Sequence, residues 1–339
     1  MNPAPGPVLV MGAGSIGCYV GGCLQASGVP VHLVGRPRVL QLLGVHGLTL
    51  TDLSGARCHL APAELHLHDT PPAGLAPALV LLCVKSGATA ASAAQLALCL
   101  PAGTPVLSLQ NGVSNVDTAQ QHAPRLRVLP GMVPFNVAEL PEGRFHRGTD
   151  GELAAQDDPL LRPWAPRFQA AGLPLRLHAD LRAVQWGKLL LNLNNPVNAL
   201  SGLPLRAQLL DRDFRCCTAA LIEETLAVLK AAGIEPRRIT PVAPRFLPTL
   251  LRMPTPVFRV LASRMLRIDA QARSSMADDL RLGRVTEIDA LCGEVCRLGE
   301  QHGRATPRNA RMVELVGRHR PEARPQGGEA LRRALGVAA

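Results

Sequence analysis

Aromatic side chains are scarce in this chain, at 3% of 339 residues, with two tryptophans and a single tyrosine. Proteins that hold single-stranded nucleic acid stack bases on such rings, so few stacking platforms are on offer. The formal net charge is +10, yet the arginines are scattered and thicken only near the C-terminus, without the basic block of a nucleic-acid arm. We read the charge as solubility plus capture of small anions and expect no nucleic-acid partner. No run of about 18 apolar residues occurs, so no membrane span is expected. The opening residues Met1-Asn2-Pro3-Ala4-Pro5 have neither the positive region nor the apolar core of a signal peptide. The nine cysteines contain no CxxC pair, and several lie in apolar runs such as Leu81-Leu82-Cys83-Val84, as buried thiols do in a reducing compartment. Cys292 and Cys296 share a helix face, but no second pair accompanies them, so no metal is expected. These absences point to a cytoplasmic protein. Hydrophobic residues make up 47% of the chain, a globular composition, and the length suits two domains.

What the first half does contain is an alternation of strands and helices. Val8-Leu9-Val10-Met11 reads as a buried parallel strand and leads into Gly12-Ala13-Gly14-Ser15-Ile16-Gly17, which fits G-x-G-x-x-G. A helical stretch through Leu24 and a second strand, Val31-His32-Leu33-Val34, complete a βαβ unit. In such a unit the first glycine permits a tight turn, the second admits a pyrophosphate, and the third lets helix and strand pack closely. A packing-only glycine turn is the bland alternative. No acid stands at the end of the second strand to bind ribose hydroxyls; the chain there reads Gly35-Arg36-Pro37-Arg38. Arginine suits a 2′-phosphate, so NADPH is expected over NADH, with Arg36 as main contact and Arg38 as helper. The alternative is a solvated arginine. Further strands end in Lys85-Ser86 and in Gln110-Asn111-Gly112, and ligands of open α/β sheets bind at such ends. A plain Asn111-Gly112 turn is the competing reading. Phe145 to Ala154 reads as a short β excursion closing the domain.

From about Ala179 the pattern becomes helical. We place an α/β Rossmann-like domain over 1–179, an all-α domain over 180–320, and a frayed tail over 321–339 with a last helix at 329–335. One helix is expected from about Asp180 to Leu200, carrying Trp186-Gly187-Lys188-Leu189-Leu190-Leu191-Asn192-Leu193-Asn194-Asn195-Pro196. Lys188, Asn192 and Asn195 stand at i, i+4 and i+7 and share one face, as a cation between amides that suits an oxygen-rich anion. The bland alternative is a solvated face with a snorkelling lysine. Pro196 is expected to bend this helix by removing the bond to the carbonyl of Asn192. Further on, Gly283 ends a helix, and Thr286 begins the next with Asp289 as its capping-box partner. Ser275 alone reads as an N-cap, and Glu287 as a dipole-complementing acid.

Ordered motifs along nearly the whole chain resemble the ketopantoate reductases (2-dehydropantoate 2-reductases): GAGSIG at 12–17, VKS at 84–86, QNG at 110–112, WGKLLLN at 186–192, SSM-x-x-D-L at 274–280 and R-x-TEID at 284–289. The resemblance implies a Rossmann domain joined to a helical domain with the active site in the cleft between them. It implies NADPH-dependent reduction of 2-dehydropantoate to (R)-pantoate in pantothenate biosynthesis. By motif, Lys188 matches the catalytic lysine and Asn192 the asparagine one turn later. Asn111 matches an asparagine between nicotinamide and substrate, Lys85 a cofactor-side lysine, Ser275 a binder of the substrate carboxylate, and Glu287 an acid near the nicotinamide ribose. Gly12, Ala13, Gly14, Ser15, Ile16 and Gly17 match the cofactor loop. A homodimer is common for such enzymes.

The chain departs from the family pattern in places. Asn195-Pro196 arrives one residue earlier than the second substrate asparagine of many members, Gly202 to Leu205 contains no asparagine, and Ala272 replaces a polar residue. The stretch from Gly131 to Asn136 also differs from the threonine-rich version of other members. The expected chemistry is hydride transfer to the C2 ketone of a 2-oxo acid, with Lys188 as general acid and Asn192, Asn195 and Ser275 holding the substrate. The rival readings are a reductase of another branched 2-oxo acid and a non-catalytic NADPH-binding sensor.

Overall fold

Every residue of the strand Val8–Met11 is buried because both of its faces are covered. Val8 and Val10 join Val31, Leu33, Leu79 and Leu81 in one core cluster, while Leu9 and Met11 join Val34, Val80 and Leu82 in another. Strand side chains alternate between faces, so a run without polar interruption calls for packing on each side. The computed structural model describes residues 6–263, 266, 271–320 and 322–338; Met1 to Pro5 and Pro321, on which part of the reading of the two ends rests, lie outside the described residues.

The chain divides into two compact units, Met1–Leu181 and Arg182–Ala339. In the first, an eight-stranded sheet runs in space Leu175–His178, Leu153–Gln156, Arg127–Met132, Pro105–Ser108, Leu79–Leu82, Val8–Met11, Val31–Val34 and His66–His68. The six strands from Arg127–Met132 to His66–His68 are parallel. Counted along the chain, those six stand in the order 3-2-1-4-5-6 of a dinucleotide-binding sheet. The order reverses between Val8–Met11 and Leu79–Leu82, where such folds bind their ligands. Leu153–Gln156 joins antiparallel and Leu175–His178 parallel to it. The expected α/β Rossmann-like architecture is present.

A four-stranded sheet, ordered Arg57–Leu60, Leu48–Asp52, Arg144–Arg147 and Val137–Leu140, covers the helix Ser15–Ala26. A Cβ at Gly22 would lie 2.7 Å from Leu48, so that glycine lets helix and sheet meet. The single β excursion expected over Phe145 to Ala154 is two strands in different sheets. The intervening Gly148-Thr149-Asp150-Gly151, with Gly151 at φ 146°, turns the chain from one to the other.

The second unit is helical, as expected, and is built around Arg212–Ala231. Leu247–Arg252, Gly328–Ala334, Asn194–Ser201, Leu205–Leu210, Ile288–Gln301 and Pro307–Gly317 all pack on this helix. Its Asp211 cap accepts the Asp213 N–H at 2.8 Å. Its buried Glu224 accepts the backbone N–H groups of Arg308 and Asn309 at 3.1 and 2.9 Å, placing negative charge at the N-terminus of Pro307–Gly317. The last helix expected at 329–335 is present as Gly328–Ala334, and its packing corrects the expectation that the tail frays. Gly328–Ala334 buries Leu331 on the long helix, Arg332 pairs with Asp213 at 2.9 Å, and the Gln326 N–H donates to Leu200 at 2.9 Å. Arg, Pro and Gly richness hid two apolar anchors, Leu331 and Leu335.

Candidate active site

The glycine loop is built by steric necessity. Gly12 has φ 112°, and a Cβ there would lie 2.7 Å from the Val84 nitrogen on the neighbouring strand end. Gly12 and Ala13 both donate to the Val34 carbonyl, at 3.0 and 2.8 Å, which lashes the loop to the second strand. At Gly17 a Cβ would fall 2.1 Å from the Gly12 carbonyl oxygen, so only glycine lets the helix start so close. Gly14 differs: a Cβ there meets nothing within 4 Å, and Gly14 is the N-cap of Ser15–Ala26 without any side-chain cap. An open position at an uncapped helix start, over the sheet's reversal point, is a cradle for phosphate. Ser15 and Ile16 form the helix's first turn.

Arg36 is exposed and caps the helix Pro37–His46 at the end of the second strand. Arg38 donates to Glu139 at 2.7 Å in an exposed ion pair. Lys85 and Asn111 stand where the strands Leu79–Leu82 and Pro105–Ser108 end, each at the head of a turn. These cofactor-side residues all belong to the first unit.

The helical unit carries the lysine stripe. In place of one bent helix, Leu181–Asn192 and Asn194–Ser201 are separate and meet at Leu193. Pro196 falls in the first turn of the second helix, where its missing N–H would have had no intrahelical partner, so the break comes ahead of it. Within these mostly buried helices Arg182 is exposed and Lys188, Leu191, Asn192, Asn194 and Asn195 are partly open; Lys188, Leu191, Asn192 and Asn195 stand at i, i+3, i+4 and i+7. Asn194 points elsewhere, exchanging two hydrogen bonds of 3.1 Å with Gln208 and accepting from Thr218 at 3.0 Å. Gly187 permits the crossing of a second chain segment, because a Cβ would lie 2.2 Å from the Arg237 carbonyl oxygen. Burial pushes the Lys188 ammonium down to about 8, and the charge of Glu287 works against that fall.

Two capping expectations need correction. The N-cap of the helix Ser275–Arg281 is Ser274, whose hydroxyl accepts the Ala277 N–H at 3.2 Å, whereas Ser275 is exposed as the first helical residue. Ser274 is also tied to the stripe's helix. Its N–H donates to Asn198 Oδ1 at 3.0 Å and its hydroxyl to the Asn195 carbonyl at 3.3 Å. The helix expected to start at Thr286 starts at Ile288, with Glu287 as N-cap residue and no side-chain cap, so the Thr286–Asp289 box does not form. Gly283, at φ 62°, does end the preceding helix. The unit thus brings Lys188 and Glu287 into electrostatic reach and anchors Ser275 beside Asn195 through Ser274.

Family models of the ketopantoate reductase PanE/ApbA match residues 8–159, and of its C-terminal region residues 180–320. The chain belongs to the ketopantoate reductase family. A 2-dehydropantoate 2-reductase of Halobacterium salinarum is 28% identical over 320 residues, covering 91% of this chain and 97% of that one. A PanE/ApbA family ketopantoate reductase from Ralstonia eutropha, known as a crystal structure, superposes with TM-score 0.78 at 30% identity, over 92% of this chain and 97% of that one. The fold is shared more widely. A D-mandelate dehydrogenase solved with NADH and anilino(oxo)acetate aligns with TM-score 0.75 at 20% identity, over 98% of this chain and all of that one.

Membership in the ketopantoate reductase family implies an oxidoreductase with a nicotinamide cofactor, and the open cradle at Gly14 fits a dinucleotide. In this family member, sequence reasoning missed the side chains that hold the site's turns. Asn198 fastens Ser274, and a buried set around Gln110, Thr89 and Asn115 joins the turns after Lys85 and Gln110. The signal in reach was polarity: Gln110, Thr89, Asn115 and Asn198 are all buried polar residues, which must find partners. The same family member has nine free cysteines, and burial pushes Cys83 and Cys217 up to about 12, which disfavours their thiolate forms. No helix of the described residues is long and apolar enough to cross a membrane.

Proposed function

We propose that the protein reduces the C2 ketone of 2-dehydropantoate to (R)-pantoate with NADPH, the step that feeds pantothenate biosynthesis in the cytoplasm. The observation that carries this reading is Lys188, a half-buried lysine on a partly open stripe of its helices, its ammonium lowered by burial and supported by Glu287. As negative charge grows on the C2 oxygen, Lys188 stabilises it and then gives up its proton as general acid. A group near 8 is protonated at neutral pH yet parts with its proton more readily than an ordinary lysine. Asn192, Asn195 and the exposed Ser275 hydroxyl hold the substrate's carboxylate and hydroxyl, fixing the ketone for attack. Glu287 keeps Lys188 charged and orients the nicotinamide ribose.

A bound nicotinamide cofactor supplies the hydride. Gly12, Ala13, Gly14, Ser15, Ile16 and Gly17 hold its pyrophosphate, Arg36 its 2′-phosphate, Lys85 lies on the cofactor side, and Asn111 stands between nicotinamide and substrate. The choice of NADPH is supported by Arg36 and by the lack of an acid at the end of the second strand. The test is oxidation of NADPH and of NADH by purified protein with 2-dehydropantoate and a panel of other 2-oxo acids. The reading predicts the highest kcat/KM for NADPH with 2-dehydropantoate. A better turnover of another branched 2-oxo acid would reassign the substrate, and binding without turnover of any 2-oxo acid would make the chain a sensor.

A further inference from the structure

Between the turns that carry Lys85 and Asn111 runs a continuous chain of buried polar bonds. The Ser108 hydroxyl donates to Gln110 Oε1 at 2.9 Å, and Gln110 Nε2 donates both to the Val84 carbonyl at 2.9 Å and to the Thr89 hydroxyl at 2.7 Å. Thr89 in turn donates to Asn115 Oδ1 at 3.0 Å. Asn115 Nδ2 completes the chain, donating to the Asn111 carbonyl at 2.5 Å and to the Ser86 hydroxyl at 3.2 Å. Gln110, Thr89, Asn115 and Ser108 are 6%, 0%, 7% and 3% exposed, so water cannot replace a lost partner.

The direction of every bond is dictated by its neighbour. Gln110 must present its amide nitrogen to the Val84 carbonyl, which can only accept, and that aims its oxygen at Ser108. Thr89 receives the second Gln110 proton, so its own proton goes to Asn115 Oδ1, which leaves the Asn115 nitrogen for the two turns. Such a network has one arrangement of donors and acceptors, and a satisfied buried network rigidifies what it touches. What it touches are the Val84 carbonyl and the Ser86 hydroxyl on either side of Lys85, and the carbonyl of Asn111 itself.

We propose that Gln110, Thr89 and Asn115 are positioning residues. Through this relay they hold the Lys85 turn and the Asn111 turn in one fixed arrangement for the cofactor. The proposal rests on the reading that Lys85 and Asn111 face the cofactor. Thr89→Val removes the relay's central hydroxyl at nearly constant shape, and Thr89→Ser restores it. NADPH titration followed by cofactor fluorescence, well below the melting temperature, should show the dissociation constant raised about tenfold in Thr89→Val. Thr89→Ser should stay within about twofold of wild type. A Thr89→Val protein that binds NADPH and turns over like wild type overturns the proposal. So does a Thr89→Ser protein impaired as much as Thr89→Val, which would make the effect one of packing. Should Thr89→Val fail to fold, Gln110→Met, which lacks the amide at similar length, is read by the same criteria. Lys85→Ala and Asn111→Ala separate the two levels. If neither alters NADPH binding or turnover, the reading of those residues falls and the proposal with it. If they do and Thr89→Val does not, the relay alone is refuted.

Discussion

Lys188 sits where two influences oppose each other, and their balance sets a pH dependence. Burial lowers its proton affinity to about 8 from 10.5, and Glu287 holds it from falling further. A general acid must carry its proton, so kcat/KM for 2-dehydropantoate in the reductive direction should be level below about pH 8 and fall as pH rises through it. Glu287→Gln removes the supporting charge and should move that alkaline limb to lower pH, as read from kcat/KM against pH. A limb that stays put or moves up would contradict the coupling. Arg36 makes a second prediction at this scale. Arg36→Ala should raise KM for NADPH about tenfold and leave KM for NADH nearly unchanged. An undiminished preference for NADPH in coenzyme kinetics would remove Arg36 from the 2′-phosphate. Single residues of this kind stand out in local context: a lysine and amides at helical spacing in apolar surroundings, and an arginine where an acid is usual. Less legible was which of two adjacent serines caps a helix. Ser274 and Ser275 are equivalent locally, and the bonds of Ser274 to Asn195 and Asn198, far off in sequence, decide it.

Among the elements, the strands were the most legible, because short apolar runs followed by glycine or polar turns leave little choice of conformation. Val31–Val34 and Val8–Met11 fall where the apolar runs lie. Helix limits were harder. Pro196 predicts a bend one turn before itself in a continuous helix, but it is equally at home in a first turn, and the chain takes that option with a break at Leu193. Gly187 shows how tertiary packing reverses a local rule. In an isolated helix, replacing glycine by alanine gains about 1 kcal/mol. Here the added Cβ would collide with the Arg237 carbonyl at 2.2 Å, next to the bond from the Arg237 N–H to the Ala183 carbonyl. Gly187→Ala should therefore destabilise the protein by about 1–3 kcal/mol in denaturant unfolding. A variant as stable as wild type or more so would show that this crossing yields easily.

For the whole molecule, the two-part organisation was legible because the pattern changes from alternating strands and helices to helices alone. The sheet order 3-2-1-4-5-6 was not, since strand order depends on which apolar edges pair across long separations. The relay through Gln110, Thr89 and Asn115 was hidden for the same reason: its members come from separate segments that meet only once the sheet has formed. The last helix of the tail was legible but its docking was not, because two leucines among arginines and glycines look like solvent-exposed chain until they are found buried. The family assignment, the glycine cradle and the lysine stripe converge on one chemistry, and one comparison tests it most directly. It is the kcat of wild type and of Lys188→Ala for NADPH-dependent reduction of 2-dehydropantoate. The account predicts steady turnover by wild type and a loss of about 10²–10⁴-fold in the variant. Near-wild-type turnover by Lys188→Ala would contradict it.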